Sequence, residues 1–81
     1  DVEVTNITVN KNDNNTVFIG NIKNLGSSKY SIKIKLYDKD GKIIRETSQE
    51  YNTENRFEIT FDYNDNLNKD SIVRYSISIN R

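Results

Sequence analysis

Apolar and polar side chains alternate with a period of two in three stretches of the chain. The alternation is clearest over residues 30–36, and it returns over residues 57–63 and 73–79. Successive side chains of a strand point to opposite faces, so each stretch predicts a β-strand with one buried and one solvated face. The apolar positions are Tyr30, Ile32, Ile34 and Leu36, then Phe57, Ile59, Phe61 and Tyr63, and finally Val73, Tyr75, Ile77 and Ile79.

The first part of the chain has a less regular pattern. Val2 and Val4 alternate with polar residues, and the apolar parity then shifts to Ile7 and Val9. We therefore predict a first strand that contains a bulge or switches between sheets. The run over residues 17–22 is apolar on both parities, which is typical of a more deeply buried strand. No stretch of the sequence has a helical pattern.

Clusters of Asn, Asp, Gly and Ser separate these segments, and a further strand is predicted over residues 43–51. The run Asp38-Lys39-Asp40-Gly41 predicts a tight hairpin turn, because Asp accepts backbone hydrogen bonds and Gly adopts a left-handed conformation. Other turns are predicted at residues 12–15, 25–28, 52–55 and 64–70. This spacing favours an all-β antiparallel sandwich of six to seven strands. Its predicted core contains Val4, Val17, Ile19, Ile32, Ile34, Leu36, Phe57, Ile59, Phe61, Tyr75 and Ile77.

Composition narrows the classes of function. The 81 residues carry 12 basic and 12 acidic side chains, whereas nucleic-acid binders have a basic excess, so we expect no nucleic-acid partner. No apolar run approaches the roughly 18 residues that span a bilayer, so we expect no membrane insertion. His and Cys are absent, which excludes Ser-His-Asp and Cys-His catalysis. We expect no enzyme, and a stand-alone hydrolase ranks last among the candidate functions.

Two families share short motifs with the chain. Residues 18–44 contain Gly20, the run Ile22-Lys23-Asn24, a Gly/Ser loop and the run Leu36-Tyr37-Asp38-Lys39-Asp40-Gly41-Lys42. This order resembles the FxLYD family of small extracytoplasmic domains, although Ile34 stands where the family has Phe. Val2-Glu3-Val4-Thr5-Asn6-Ile7 and Asn24-Leu25-Gly26 are similar to the CARDB group of adhesion-type domains in bacterial and archaeal surface proteins.

Both resemblances imply an immunoglobulin-like sandwich without catalytic residues, located in a secreted or cell-surface protein of a bacterium or archaeon. We therefore expect residues 1–81 to form one immunoglobulin-like domain, excised from a larger protein. Its expected role is that of a non-catalytic accessory, spacer or protein-interaction module. The expected partners are neighbouring domains of the same polypeptide or a separate protein, and the chain is expected to be a monomer or to self-associate weakly.

The alternative is a carbohydrate-binding module, because exposed aromatic rings provide platforms for sugars. Tyr37 and Tyr51 are predicted to be exposed, and Tyr37 shares a strand face with Lys33 and Lys35. These four residues form the candidate ligand patch. The competing interpretation is that outward lysines simply keep a strand soluble and prevent edge pairing.

Calcium is the one metal that the sequence suggests. Asp62, Asn64 and Asn66 repeat the first three ligand positions of an EF-hand loop, but the sixth and twelfth positions carry Leu and Val in place of Gly and Glu. We therefore expect no cofactor. A weak calcium site at this loop, or at Asp38 and Asp40, is the alternative that remains open.

Overall fold

Six β-strands make up the regular secondary structure of the computed structural model, which describes residues 2–26 and 28–81. Within those ranges there is no helix, and hence none long and apolar enough to cross a bilayer. The predicted all-β class is confirmed. The strands are β1 (Val2–Lys11), β2 (Asn15–Asn24), β3 (Tyr30–Tyr37), β4 (Ile43–Tyr51), β5 (Arg56–Asp62) and β6 (Arg74–Asn80).

The strands form two antiparallel sheets of three strands each, ordered β1-β2-β5 and β4-β3-β6. The inward faces of the two sheets contribute to one hydrophobic core, in a sandwich-like arrangement. The ring of Phe18 in β2 meets the ring of Tyr75 in β6 edge-on, with 5.0 Å between their centroids. Contact between aromatic rings of opposite sheets shows that the sheets face each other.

The core follows the predicted alternation in β3 and β5. The inward residues of both strands are buried and the residues between them are not. The fully or nearly fully buried apolar side chains are Phe18, Ile22, Tyr30, Ile32, Ile34, Leu36, Tyr51, Phe57, Ile59, Phe61, Leu67 and Ile72. Leu67 and Ile72 belong to the connection between β5 and β6, where the sequence predicted only a polar loop.

The inward face of β2 differs from the prediction. Phe18 and Ile22 are buried, whereas Val17 and Ile19 are only half-buried on the outer face. Gly20 lies on the inward face opposite Phe57 of β5. A Cβ at position 20 would lie 2.8 Å from Cζ of Phe57, so the absence of a side chain makes room for this buried ring.

The predicted irregularity of β1 is confirmed as a bulge. The register with β2 shifts between Thr5 and Thr8, and Asn6 adopts a left-handed conformation with φ of 54°. Asn tolerates this conformation better than most residues do. The bulge keeps both Val4 and Val9 packed against the core, and each is half-buried, so Val4 lies at the margin of the core in which it was predicted.

Strand β6 is less buried than its alternation suggests. Tyr75 is 41% exposed, so its predicted place in the core is wrong, and Ile77 is half-buried. Val73, which precedes the strand, is 63% exposed. The physical reason is position: β6 is at the edge of its sheet, and within the described residues only β3 pairs with it.

The turn between β3 and β4 has the predicted chemistry. Oδ1 of Asp38 accepts hydrogen bonds from the backbone N–H groups of Asp40 and Lys42, each at 2.9 Å. Gly41 has φ of 80°, in the left-handed region that favours glycine. The predicted turn at residues 25–28 includes Ser27, which, like Asp1, lies outside the described residues.

Candidate functional site

The predicted lysine face lies on the outer side of the β4-β3-β6 sheet. Lys33 and Lys35 alternate with the buried residues of β3, and both are half-exposed. Across the strands, Lys35 is paired in register with Glu46 of β4 and Ser76 of β6. The acidic neighbour reduces the positive potential that this face offers to an anionic ligand.

Tyr37 is located at the end of the lysine face, and neighbours already contact its ring and hydroxyl. The guanidinium carbon of Arg74 lies 4.4 Å from the ring centroid of Tyr37, which is cation–π distance. The hydroxyl of Tyr37 hydrogen-bonds with the hydroxyl of Ser76 at 3.1 Å. One face of the ring is therefore covered, and only the other is available for stacking on a sugar.

Tyr51 does not belong to this patch. It is 5% exposed, and its ring stacks on that of Tyr30 inside the core, with 6.1 Å between centroids and 24° between planes. The prediction that Tyr51 is exposed is therefore wrong. The structure brings Lys33, Lys35 and Tyr37 together on one face and places Tyr51 between the sheets.

The stacked rings of Tyr30 and Tyr51, here called the tyrosine pair, have buried hydroxyl groups. Among the described residues, neither the Tyr30 hydroxyl nor the Tyr51 hydroxyl has a hydrogen-bond partner. Burial, followed by the negative charge of Glu54, raises the pKa of both phenols. The pKa of Glu54 is lowered, mainly because its carboxylate accepts a hydrogen bond from the backbone N–H of Asn52. The pair therefore holds two neutral phenols and not an ionised nucleophile.

Hydrogen bonds within the candidate calcium loop, residues 62–66, and its anchor Leu67 account for the shape of the loop. Oδ1 of Asn64 accepts a hydrogen bond from the backbone N–H of Asn66 at 2.8 Å, and Asn64 and Leu67 exchange two backbone hydrogen bonds. Leu67 is 1% exposed, so it anchors the loop at the position where an EF-hand has Gly. Over residues 2–26 and 28–81 no three His, Cys, Asp or Glu side chains lie close enough to hold a metal ion. The absence of a cofactor stays the prediction, and a weak calcium site at this loop stays its alternative.

A surface that the sequence did not predict lies where β1 of one sheet faces β6 of the other. A groove there is lined by Val9 and Lys11 of β1 and by residues 72–75. Nζ of Lys11 donates a hydrogen bond across it to the carbonyl oxygen of Ile72 at 2.8 Å. We call this strip the β1–β6 seam; its exposed or half-buried apolar members are Val9, Val73 and Tyr75.

The opposite side of the sandwich is polar where β4 of one sheet faces β5 of the other. The groove between β4 and β5 is lined mainly by polar and charged residues, including Arg45, Glu46 and Asp62. In contrast, two of the large apolar side chains with substantial exposure, Val73 and Tyr75, lie along the β1–β6 seam. Alternation in β6 could identify an apolar face, but it could not show how much of that face the opposite sheet covers.

The comparisons with known proteins found no match: no family model, no curated protein and no solved structure is similar to this chain. The likeness to FxLYD and CARDB domains therefore rests on the short motifs alone.

Proposed function

We propose that the chain is a non-catalytic protein-interaction module with an immunoglobulin-like fold. In an immunoglobulin sandwich, strands A, B and E belong to one sheet, and strands C, C′ and F belong to the other. The sheets β1-β2-β5 and β4-β3-β6 agree with that order. Strand β4 would then correspond to C′, and β6 to F. Within residues 2–26 and 28–81, no strand occupies the position of G, beside β6.

The observation that supports an interaction role is the β1–β6 seam. Exposed apolar residues that adjoin one another mark contact surfaces more often than isolated ones do. Val73 and Tyr75, which line the groove together with Val9, are 63% and 41% exposed. The core between the sheets is filled by side chains, so ligands are expected at faces and edges rather than in an interior cavity.

The motifs that resemble FxLYD and CARDB domains support a location in a secreted or cell-surface protein. Both groups are extracytoplasmic, and such proteins carry small sandwich modules beside other domains. Neighbouring domains of the same polypeptide, or a separate surface protein, are the partners that this location implies.

A glycan array with the purified chain distinguishes this function from carbohydrate binding. We expect no glycan to bind above the level of the Tyr37→Ala variant, because Arg74 covers one face of the Tyr37 ring and Tyr51 is buried. Tyr75→Ala is the matched control, since Tyr75 is an exposed tyrosine of the seam. A glycan that binds the native chain and the Tyr75→Ala variant, but not Tyr37→Ala, would replace our proposal with a carbohydrate-binding module.

A further inference from the structure

The four edge strands of the two sheets differ in how they are protected against pairing with other chains. Natural sheets protect their edges with charges, bulges or proline. Strand β1 has the bulge at Asn6. Strand β4 has Arg45, Glu46 and Glu50, and β5 has an ion pair between Arg56 and Glu58 at 3.2 Å.

Strand β6 has none of these devices between Tyr75 and Ile79. That stretch reads Tyr-Ser-Ile-Ser-Ile, without a charge, and its register with β3 is continuous from Ser31–Asn80 to Tyr37–Arg74. Its other edge has no partner strand within the described part of the chain. The unprotected edge is also the one that borders the β1–β6 seam, where apolar side chains are exposed.

We propose that a second copy of this chain pairs with β6, so that two copies form a dimer around a two-fold axis beside Ile77. This inference deepens the proposed function by naming the partner at the seam. Antiparallel pairing centred on Ile77 places Tyr75 opposite Ile79 of the second copy, and Ser76 opposite Ser78. Inward side chains are then opposite inward side chains. Residues 75–79 carry no charge, so no like charges repel each other across the two strands.

The same axis would close both seams. Since Val9 and Lys11 of β1 line the groove beside Arg74 and Tyr75 of β6, joining the two β6 edges produces one continuous sheet and brings the two β1 strands toward each other. Tyr75 and Val73 of each copy would lose exposure to water. Backbone hydrogen bonds would provide affinity, and the alternating side chains would fix the register.

Sedimentation of the 81-residue chain from about 10 µM to about 1 mM tests the proposal. We expect the average mass to rise from 9.5 kDa toward twice that value as concentration increases. The disrupting variant is S76E/S78E, which places glutamates of the two copies opposite each other. Within one copy these glutamates would lie beside Lys35 and Lys33 of β3, so the fold itself is not expected to weaken.

The matched control is S76E/S78K, which places a glutamate opposite a lysine at both contacts while removing the same Ser76–Tyr37 hydrogen bond. We expect S76E/S78E to dimerise roughly tenfold more weakly than the native chain, and S76E/S78K to stay within about threefold of it. Circular dichroism checks that each variant is folded. A native chain that is monomeric at about 1 mM overturns the dimer. A dimer that S76E/S78E leaves intact overturns its location on β6. Neither result depends on glycan binding, so each can be separated from failure of the proposed function.

Discussion

Replacing Tyr63 by Phe removes one oxygen atom and leaves a buried hydroxyl without its partner. The hydroxyls of Tyr63 and Thr16 are 2.7 Å apart, and Thr16 is 0% exposed on the inward side of β2. An unpaired buried hydroxyl costs about 1–3 kcal/mol. Each kcal/mol corresponds to about 4–8 °C in the melting temperature of a domain of this size. Tyr63→Phe should therefore lower the melting temperature clearly.

Tyr51→Phe is the matched control, because it makes the same chemical change at a buried hydroxyl for which the described residues offer no partner. Removing such an oxygen should leave the free energy of unfolding unchanged or increase it. Urea and thermal unfolding of the two variants, followed by circular dichroism beside the native chain, measure the difference. Equal losses in both variants, or a larger loss in Tyr51→Phe, would refute the assigned hydrogen bonding.

Three further predictions concern packing, pH and calcium. Gly20→Ala should reduce the free energy of unfolding by about 1–3 kcal/mol, because a methyl group there overlaps the buried Phe57 ring; urea unfolding should show a smaller loss in a Phe57→Leu background. The raised pKa values of Tyr30 and Tyr51 mean that the unfolded chain loses these protons first as pH rises. Stability should therefore be independent of these groups below about pH 10 and fall above it, as urea unfolding beside an ultraviolet absorbance titration would show; stability that stays constant above that pH would contradict the assignment. Excess calcium or a chelator should change the melting temperature by less than about 1 °C, and a rise of several degrees with calcium would establish a calcium site, at residues 62–66 or at Asp38 and Asp40.

The alternation of side chains predicted β3 and β5 correctly because every inward position of these strands is apolar. In β2, by contrast, the inward face includes Thr16 and Gly20, while the apolar Val17 and Ile19 lie outward. Hydrophobicity alone could not identify the inward face there. What decides it is the fit between neighbours: a hydrogen bond satisfies Thr16, and an aromatic ring from β5 covers Gly20.

The candidate site was harder to predict than the fold. Alternation placed Lys33, Lys35 and Tyr37 on one face, and the register confirms that placement. The burial of Tyr51 depends on stacking against Tyr30, its partner across the β3–β4 hairpin. The alternation of side chains within one strand carries no information about such a cross-strand contact. The exposure of Tyr75 depends on which strands are neighbours in a sheet, a property of topology that no local pattern contains.

The order of strands in the β1-β2-β5 sheet has a consequence for synthesis of the chain. Strand β2 is made early, yet one of its two partners, β5, emerges only after the whole β3–β4 hairpin. Until then Phe18 lacks the ring of Phe61, which lies 5.7 Å away in the finished molecule. Closing such a long loop is slow compared with forming a local hairpin. A nascent chain that stops before β5 should therefore be prone to aggregation and sensitive to proteases. Once β5 has emerged from the ribosome, both sheets should be able to assemble together.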